Sequence, residues 1–113
     1  MIREILVSAR AKRDFITILN TSLTEFGPDA QAAYKALLDR ALLDLAEDAE
    51  RPAVQNLSDV KAGVFGFHLR HSRKRVSGRR VRAPRHVILF RVRGRSIVIV
   101  RVLHERMLPS GHL

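Results

Sequence analysis

The sequence has no cysteine, no tryptophan, a single tyrosine and, beyond Val60, a single acidic residue. Without cysteine there can be no disulfide, no cysteine nucleophile and no thiolate zinc site, so stability must come from packing, and the composition suits a reducing compartment. No apolar run approaches the roughly 18 residues of a membrane-spanning helix, and Met1 to Arg10 carries charges where a signal peptide needs an apolar stretch. The expected location is cytoplasmic. A Gly-rich phosphate loop, a carboxylate pair and a Ser/His/Asp set are also missing, so no common enzyme motif is apparent and no cofactor is expected.

What is present is a chain of 113 residues, 46% of them hydrophobic, enough for one compact domain over residues 1–113 and too short for two. Its formal charge of +10 is unevenly spread. Met1 to Val60 holds 7 Lys+Arg against 10 Asp+Glu, whereas Lys61 to Leu113 holds 14 against 1. So many like charges in a small volume call for a counter-charge, which predicts that the C-terminal half meets a polyanion or an acidic protein surface.

Ile2 to Val7 reads as a short strand, followed by Ser8 in a helix N-cap position. Ala11, Phe15, Ile18, Leu19, Ser22 and Phe26 then recur at helical spacing until Gly27. Pro28 and Asp29 suit the first turn of a second helix. The apolar set of that helix runs from Ala30 through Ala33, Tyr34, Leu37, Leu38 and Ala41 to Leu42 and Leu45, with Asp39, Arg40, Asp44, Glu47 and Asp48 on the other side. Pro52 closes this helix, and Ala53 to Ala62 reads as irregular. Strands are predicted at Val64–Arg70, His86–Val92 and Ile97–Leu103, the last two joined across Arg93-Gly94-Arg95-Ser96. Ser72 to Ala83 reads as a long mobile basic loop. The fold class is therefore α+β, in the order β-α-α-β-β-β, with a helical hairpin packed on a mainly antiparallel four-stranded sheet.

Val87-Ile88-Leu89-Phe90 and Ile97-Val98-Ile99-Val100 are apolar on both faces, although helices cover only one face of such a sheet. The loop and tail, a second copy or a dedicated partner must cover the other. All five histidines, His68, His71, His86, His104 and His112, lie in the basic half. A metal shared by His68 and His71 is not expected, because on a strand they point to opposite faces and few further ligands are near. His86 and His104 stand at strand ends beside Arg85 and Glu105. They could cleave RNA by acid/base chemistry while arginine holds the phosphate, or serve as structural hydrogen-bonding residues. The basic run Arg73-Lys74-Arg75, continued by Arg79, Arg80, Arg82 and Arg85, could hold phosphates, but it lacks the interleaved aromatics of single-strand binders. A solvated loop ordered by an acidic partner is the expectation; direct nucleic-acid binding is possible but not expected.

Two segments, Pro84-Arg85-His86-Val87-Ile88-Leu89-Phe90-Arg91-Val92 and Ile99-Val100-Arg101-Val102-Leu103-His104-Glu105-Arg106-Met107, resemble the signature of ParE toxins. The closing His112-Leu113 and the upstream Phe67-His68-Leu69-Arg70-His71-Ser72-Arg73 are similar to it too. The resemblance implies a RelE/ParE-like fold and a type II toxin that binds DNA gyrase and is neutralised by a wrapping, ParD-like antitoxin with an acidic, amphipathic C-terminal segment. It places target contacts on Arg85, His104, Arg106 and Met107, and antitoxin contacts on Phe65, Phe67, Leu69, Arg73, Phe90 and Arg91. The RelE branch of the family cuts ribosome-bound mRNA. In that case His86, His104, Arg85 and Arg106 are the candidates, and the lack of a tyrosine at that sheet end argues for binding rather than cleavage. A basic adaptor domain without toxicity is the third possibility. Leu108 departs from the aspartate usual in the family, and the tail after Leu103 reads as a projecting segment.

Overall fold

The computed structural model describes residues 2–107 and 109–113, so the departure at Leu108 lies outside the described residues. Ser8 caps the first helix as its position predicts: its hydroxyl accepts from the Ala11 amide at 3.0 Å and donates to the Val100 carbonyl at 3.0 Å. One residue thereby ends strand β1 (Glu4–Val7), starts helix α1 (Ala9–Phe26) and ties both to the C-terminal hairpin. Gly27, at a φ of +92° that suits glycine, lets α2 (Pro28–Glu47) begin immediately.

The remaining strands are β2 (Gln55–Asn56), β3 (Phe65–His68), β4 (His86–Arg93) and β5 (Ser96–His104). They form a five-stranded mixed sheet in the order β1-β5-β4-β3-β2, with β1 parallel to β5 and the other pairs antiparallel. The class is α+β, as expected, with one strand more. That addition is the two-residue β2, in a stretch whose composition reads as irregular because so short a strand leaves no alternation to detect. β4 and β5 turn tightly at Gly94, whose φ of +57° meets the demand of a two-residue hairpin turn for a left-handed residue.

Between α2, α1 and the sheet lies a core that includes Leu37, Leu45, Phe67, Leu69, Ile88, Phe90, Ile97 and Ile99. Burying each such side chain contributes about 1.5–3 kcal/mol. On the opposite face Val64, Leu89 and Leu103 are buried under Leu57, Val87, Val100 and Leu113. The doubly apolar strands are thus partly covered from within, by the segment before β3 and by the chain end. The tail is docked rather than projecting, because Arg101 Nη1 and Arg10 Nη2 hold the His112 carbonyl at 2.7 and 3.0 Å. Arg101 also grips Asp14 through two bonds of 2.8 and 3.0 Å. It does so beside a bulge, where Leu89 pairs with Arg101 and Phe90 with Ile99, leaving Val100 over.

Two helical positions differ from their periodic reading. Phe26 is 72% exposed, because α1 ends there beyond the reach of the sheet. Asp44, on the polar side of α2 by spacing, is fully buried. The reason lies in the basic segment after β3, which is not a free loop from Ser72 on. Leu69–Arg75 forms a 3-10 turn packed on α2, with Leu69 and Ser72 fully buried and Val76 nearly so. Ser72 Oγ donates to Asp44 Oδ2 at 2.5 Å, Arg75 Nε to Oδ1 at 2.8 Å, and Arg40 reaches Oδ1 from within α2 at 2.7 and 2.9 Å. The same turn places His71 off the strand, so its expected opposition to His68 across a strand does not arise.

Candidate functional site

His86 opens β4 and His104 closes β5, and the antiparallel register sets them directly opposite each other. Their rings meet edge to face with centroids 5.4 Å apart. The next residues along each strand extend the cluster: Arg85 Nη1 donates to Glu105 Oε2 at 3.1 Å, and the Glu105 amide donates to the Arg85 carbonyl at 2.7 Å. His68, at the end of β3, joins from the side through Nε2 to Glu105 Oε1 at 2.8 Å. Its hydrogen bond and the Arg85 guanidinium hold the Glu105 carboxyl below the usual carboxylate range.

The tautomers follow from the partners. The Arg70 amide donates to His68 Nδ1 at 3.0 Å, so His68 carries its proton on Nε2, toward Glu105. The Arg106 amide donates to His104 Nδ1 at 3.1 Å, which likewise leaves the proton on Nε2. At His86 the arrangement comes from a residue that sequence reasoning set elsewhere. Tyr34 projects from α2 into this sheet end, accepts from the Arg85 amide at 3.2 Å and donates to His86 Nδ1 at 2.5 Å. The absence of tyrosine here is therefore corrected. Its helical spacing gave only its burial; that α2 crosses this end of the sheet is a tertiary fact.

Burial, with the neighbouring Glu105 charge, pushes the Tyr34 hydroxyl up to about 12, against a single opposing amide bond from Arg85. Burial also lowers His86 to about 4, helped by the nearby His104 and His68. At neutral pH Tyr34 is a phenol and His86 an uncharged acceptor. His86 is thus a poor source of a proton for a leaving group, and its Nδ1 is occupied. No hydrogen bond among the described residues uses Nε2 of His86 or His104. With Arg85, 54% exposed at its side chain, and Arg106, also exposed, they make a surface rich in donors, suited to an oxygen-rich partner. Met107 stands beside them, 36% exposed.

The residues expected to meet the antitoxin are not one surface. Phe67, Leu69 and Phe90 are fully buried in the core, and Phe65 stacks on Phe90 with centroids 5.7 Å apart. The alternation that singled them out marks the inner face of the sheet. Arg73 Nε is held by the Val81 carbonyl at 2.5 Å and Arg91 Nη1 by the Ala62 carbonyl at 2.7 Å. The large exposed apolar groups lie elsewhere. On α1, Ile16, Leu23 and Phe26, exposed by 61, 41 and 72%, fall within about 80° of arc and form a stripe beside the packed face. Among the described residues no helix is long and apolar enough to cross a membrane, and no group of three potential ligand side chains could hold a metal ion.

Among solved structures, a chromosomal ParDE toxin–antitoxin system from P. aeruginosa has a chain 20% identical to this one with a TM-score of 0.65, over 91% of this chain and 96% of its own. The toxin–antitoxin complex RelBE2 from Mycobacterium tuberculosis has one 21% identical with a TM-score of 0.57, over 92% of this chain and 99% of its own. Both share the fold. No curated protein matches the sequence. The family model of the ParE toxin of the type II toxin–antitoxin system parDE matches residues 5–109, nearly the whole chain with the clustered sheet end included, and the protein belongs to that family.

Proposed function

We propose that this toxin acts by binding DNA gyrase through the sheet end of Arg85, His104, Arg106 and Met107. The observation that carries this reading is the geometry of the sheet end, where exposed Arg85 and Arg106 stand beside the opposed His86 and His104 while Tyr34 takes up Nδ1 of His86, whose buried ring is uncharged at neutral pH and holds no proton for a leaving group. A donor-rich surface remains, and it recognises rather than cleaves. Purified toxin should inhibit supercoiling by gyrase, and Arg85→Ala with Arg106→Ala should weaken the inhibition at least about tenfold, the size of losing one or two charge-assisted contacts. Normal supercoiling over a wide excess of toxin overturns the proposal.

The same reading gives the toxin a ParD-like antitoxin whose C-terminal segment is acidic and amphipathic. Its apolar side would lie on the Ile16, Leu23 and Phe26 stripe, the most exposed apolar groups of α1, since Leu57 and Leu113 already cover part of the second sheet face. Charging the stripe with Ile16→Glu should break the complex without unfolding the toxin, read by co-purification and circular dichroism. A complex that survives the change places the antitoxin elsewhere.

One observation favours a second reading. Tyr34 joins His86 and His104 at one site, as an mRNA interferase would need. Translation-dependent mRNA cuts that disappear in His86→Ala with His104→Ala would establish it, and no cuts from the intact toxin would end it.

A further inference from the structure

The segment from Arg70 to Arg85 carries eight cationic side chains, seven of them arginine, and no carboxylate lies anywhere between Lys61 and His104. Only two of the eight are matched: Arg75 by Asp44 and Glu47, and Arg85 by Glu105. The other six contact no carboxylate among the described residues, and five of them, Arg70, Lys74, Arg79, Arg80 and Arg82, are exposed.

This charge stands on a fastened platform rather than a free loop. Leu69 and Ser72 anchor its start in the core and on Asp44, and Val76 buries its middle. Arg73 Nε on the Val81 carbonyl and Arg80 Nη2 on the Lys74 carbonyl close the loop upon itself. These contacts hold the segment against the fold without a partner, which lowers the entropic cost of binding.

The surface chemistry selects the partner. No large hydrophobic side chain is exposed between Val60 and Val92. A protein interface needs such anchors at its centre, whereas a phosphate backbone needs only cations, and guanidinium forks match phosphates in bidentate fashion. The segment holds no phenylalanine, tyrosine or tryptophan for stacking on bases, and its one imidazole, His71, already lies against Phe67, so unpaired strands gain little over a duplex. We infer that the Arg70–Arg85 platform binds the phosphate backbone of duplex DNA without regard to sequence. This inference stands apart from the gyrase reading and needs no topoisomerase.

The test is fluorescence anisotropy of a labelled duplex of about 20 base pairs, titrated with the full-length toxin between about 50 and 200 mM salt. With six cations engaged, the slope of log affinity against log salt should be near about −5, and affinity should fall on the order of a thousandfold across that range. Arg79→Gln with Arg82→Gln should make the slope shallower by about 2 and weaken binding at least about tenfold. Arg93→Gln with Arg95→Gln removes the same charge at the far end of β4, about 23 Å along the strand from His86, and should stay within about twofold. None of these four side chains makes a hydrogen bond or ion pair among the described residues, so the melting temperature of each variant should be that of the parent.

Equal losses in the two variants would overturn the site, since the affinity would then belong to the overall charge. A single strand bound more tightly than the duplex would overturn it as well. So would a polyglutamate peptide that binds when the duplex does not, which would give the platform to an acidic protein. If gyrase inhibition persists in Arg79→Gln with Arg82→Gln while duplex affinity is lost, the two proposals separate cleanly.

Discussion

Two carboxylates each gather basic groups from distant parts of the chain, and they do opposite things. Asp44 is fully buried and holds Arg40, Ser72 and Arg75; Glu105 is exposed and holds His68 and Arg85. Burial alone would raise the Asp44 carboxyl, yet the bonds from Ser72 and Arg40 and the charges of Arg40 and Arg75 outweigh it and keep the group below its ordinary range. An ion so enclosed is part of the framework, since losing it leaves cations and a hydroxyl unmatched. At Glu105 water competes for every partner, and the cluster can trade internal bonds for external ones. The first network fastens the basic segment; the second presents a surface.

The sharpest way to break this contrast is Asp44→Ala. It should destabilise the fold by about 3–5 kcal/mol in chemical denaturation, as the loss of one partner from a buried ion pair does. A cost as small as that of a surface pair would show that the 3-10 turn stands without its carboxylate.

Acid should separate the framework into two steps. His86 has an ordinary value of 6.5 when unfolded and about 4 when folded, so the unfolded chain binds the proton first and stability falls as pH drops from 6.5 toward 4, by up to about 3 kcal/mol. The contribution of Asp44 persists through that window and is lost only as pH falls below the usual carboxylate range. Denaturation curves across pH, with the His86 ring followed by NMR, would show the two steps. A His86 titration near 6.5 would contradict the account.

Tyr34→Phe should cost less, about 1–3 kcal/mol, because it removes a buried hydroxyl and leaves the Arg85 amide and His86 Nδ1 without a partner. The smallest effect belongs to Glu105→Gln, which should leave the melting temperature almost unchanged while freeing Arg85. A large destabilisation there would place Glu105 in the same class as Asp44.

Much of this was legible beforehand, for identifiable reasons. Ser8, Gly27 and Pro28 punctuate the helical hairpin by local chemistry that needs no tertiary knowledge. The β4–β5 pairing follows from the hairpin at Gly94, whereas the opposition of His86 and His104 was not legible, because it depends on the bulge at Leu89 and Phe90, without which His86 would face Leu103. What escaped depends on which elements cross. Tyr34 and Asp44 lie on α2 at spacings that give burial or polarity, and only the packing of β4 and the 3-10 turn against that helix tells what they meet. Phe67, Leu69 and Phe90 escaped for the converse reason: an apolar side chain of a strand reads alike whether it faces the core or a partner.

We propose gyrase binding at the exposed cluster at the end of β4 and β5. It is tested most directly by a supercoiling assay with purified toxin, run beside Arg85→Ala with Arg106→Ala. Inhibition by the toxin, weakened at least about tenfold in the variant, is the predicted result. Supercoiling unaffected by a large excess of folded toxin would contradict it.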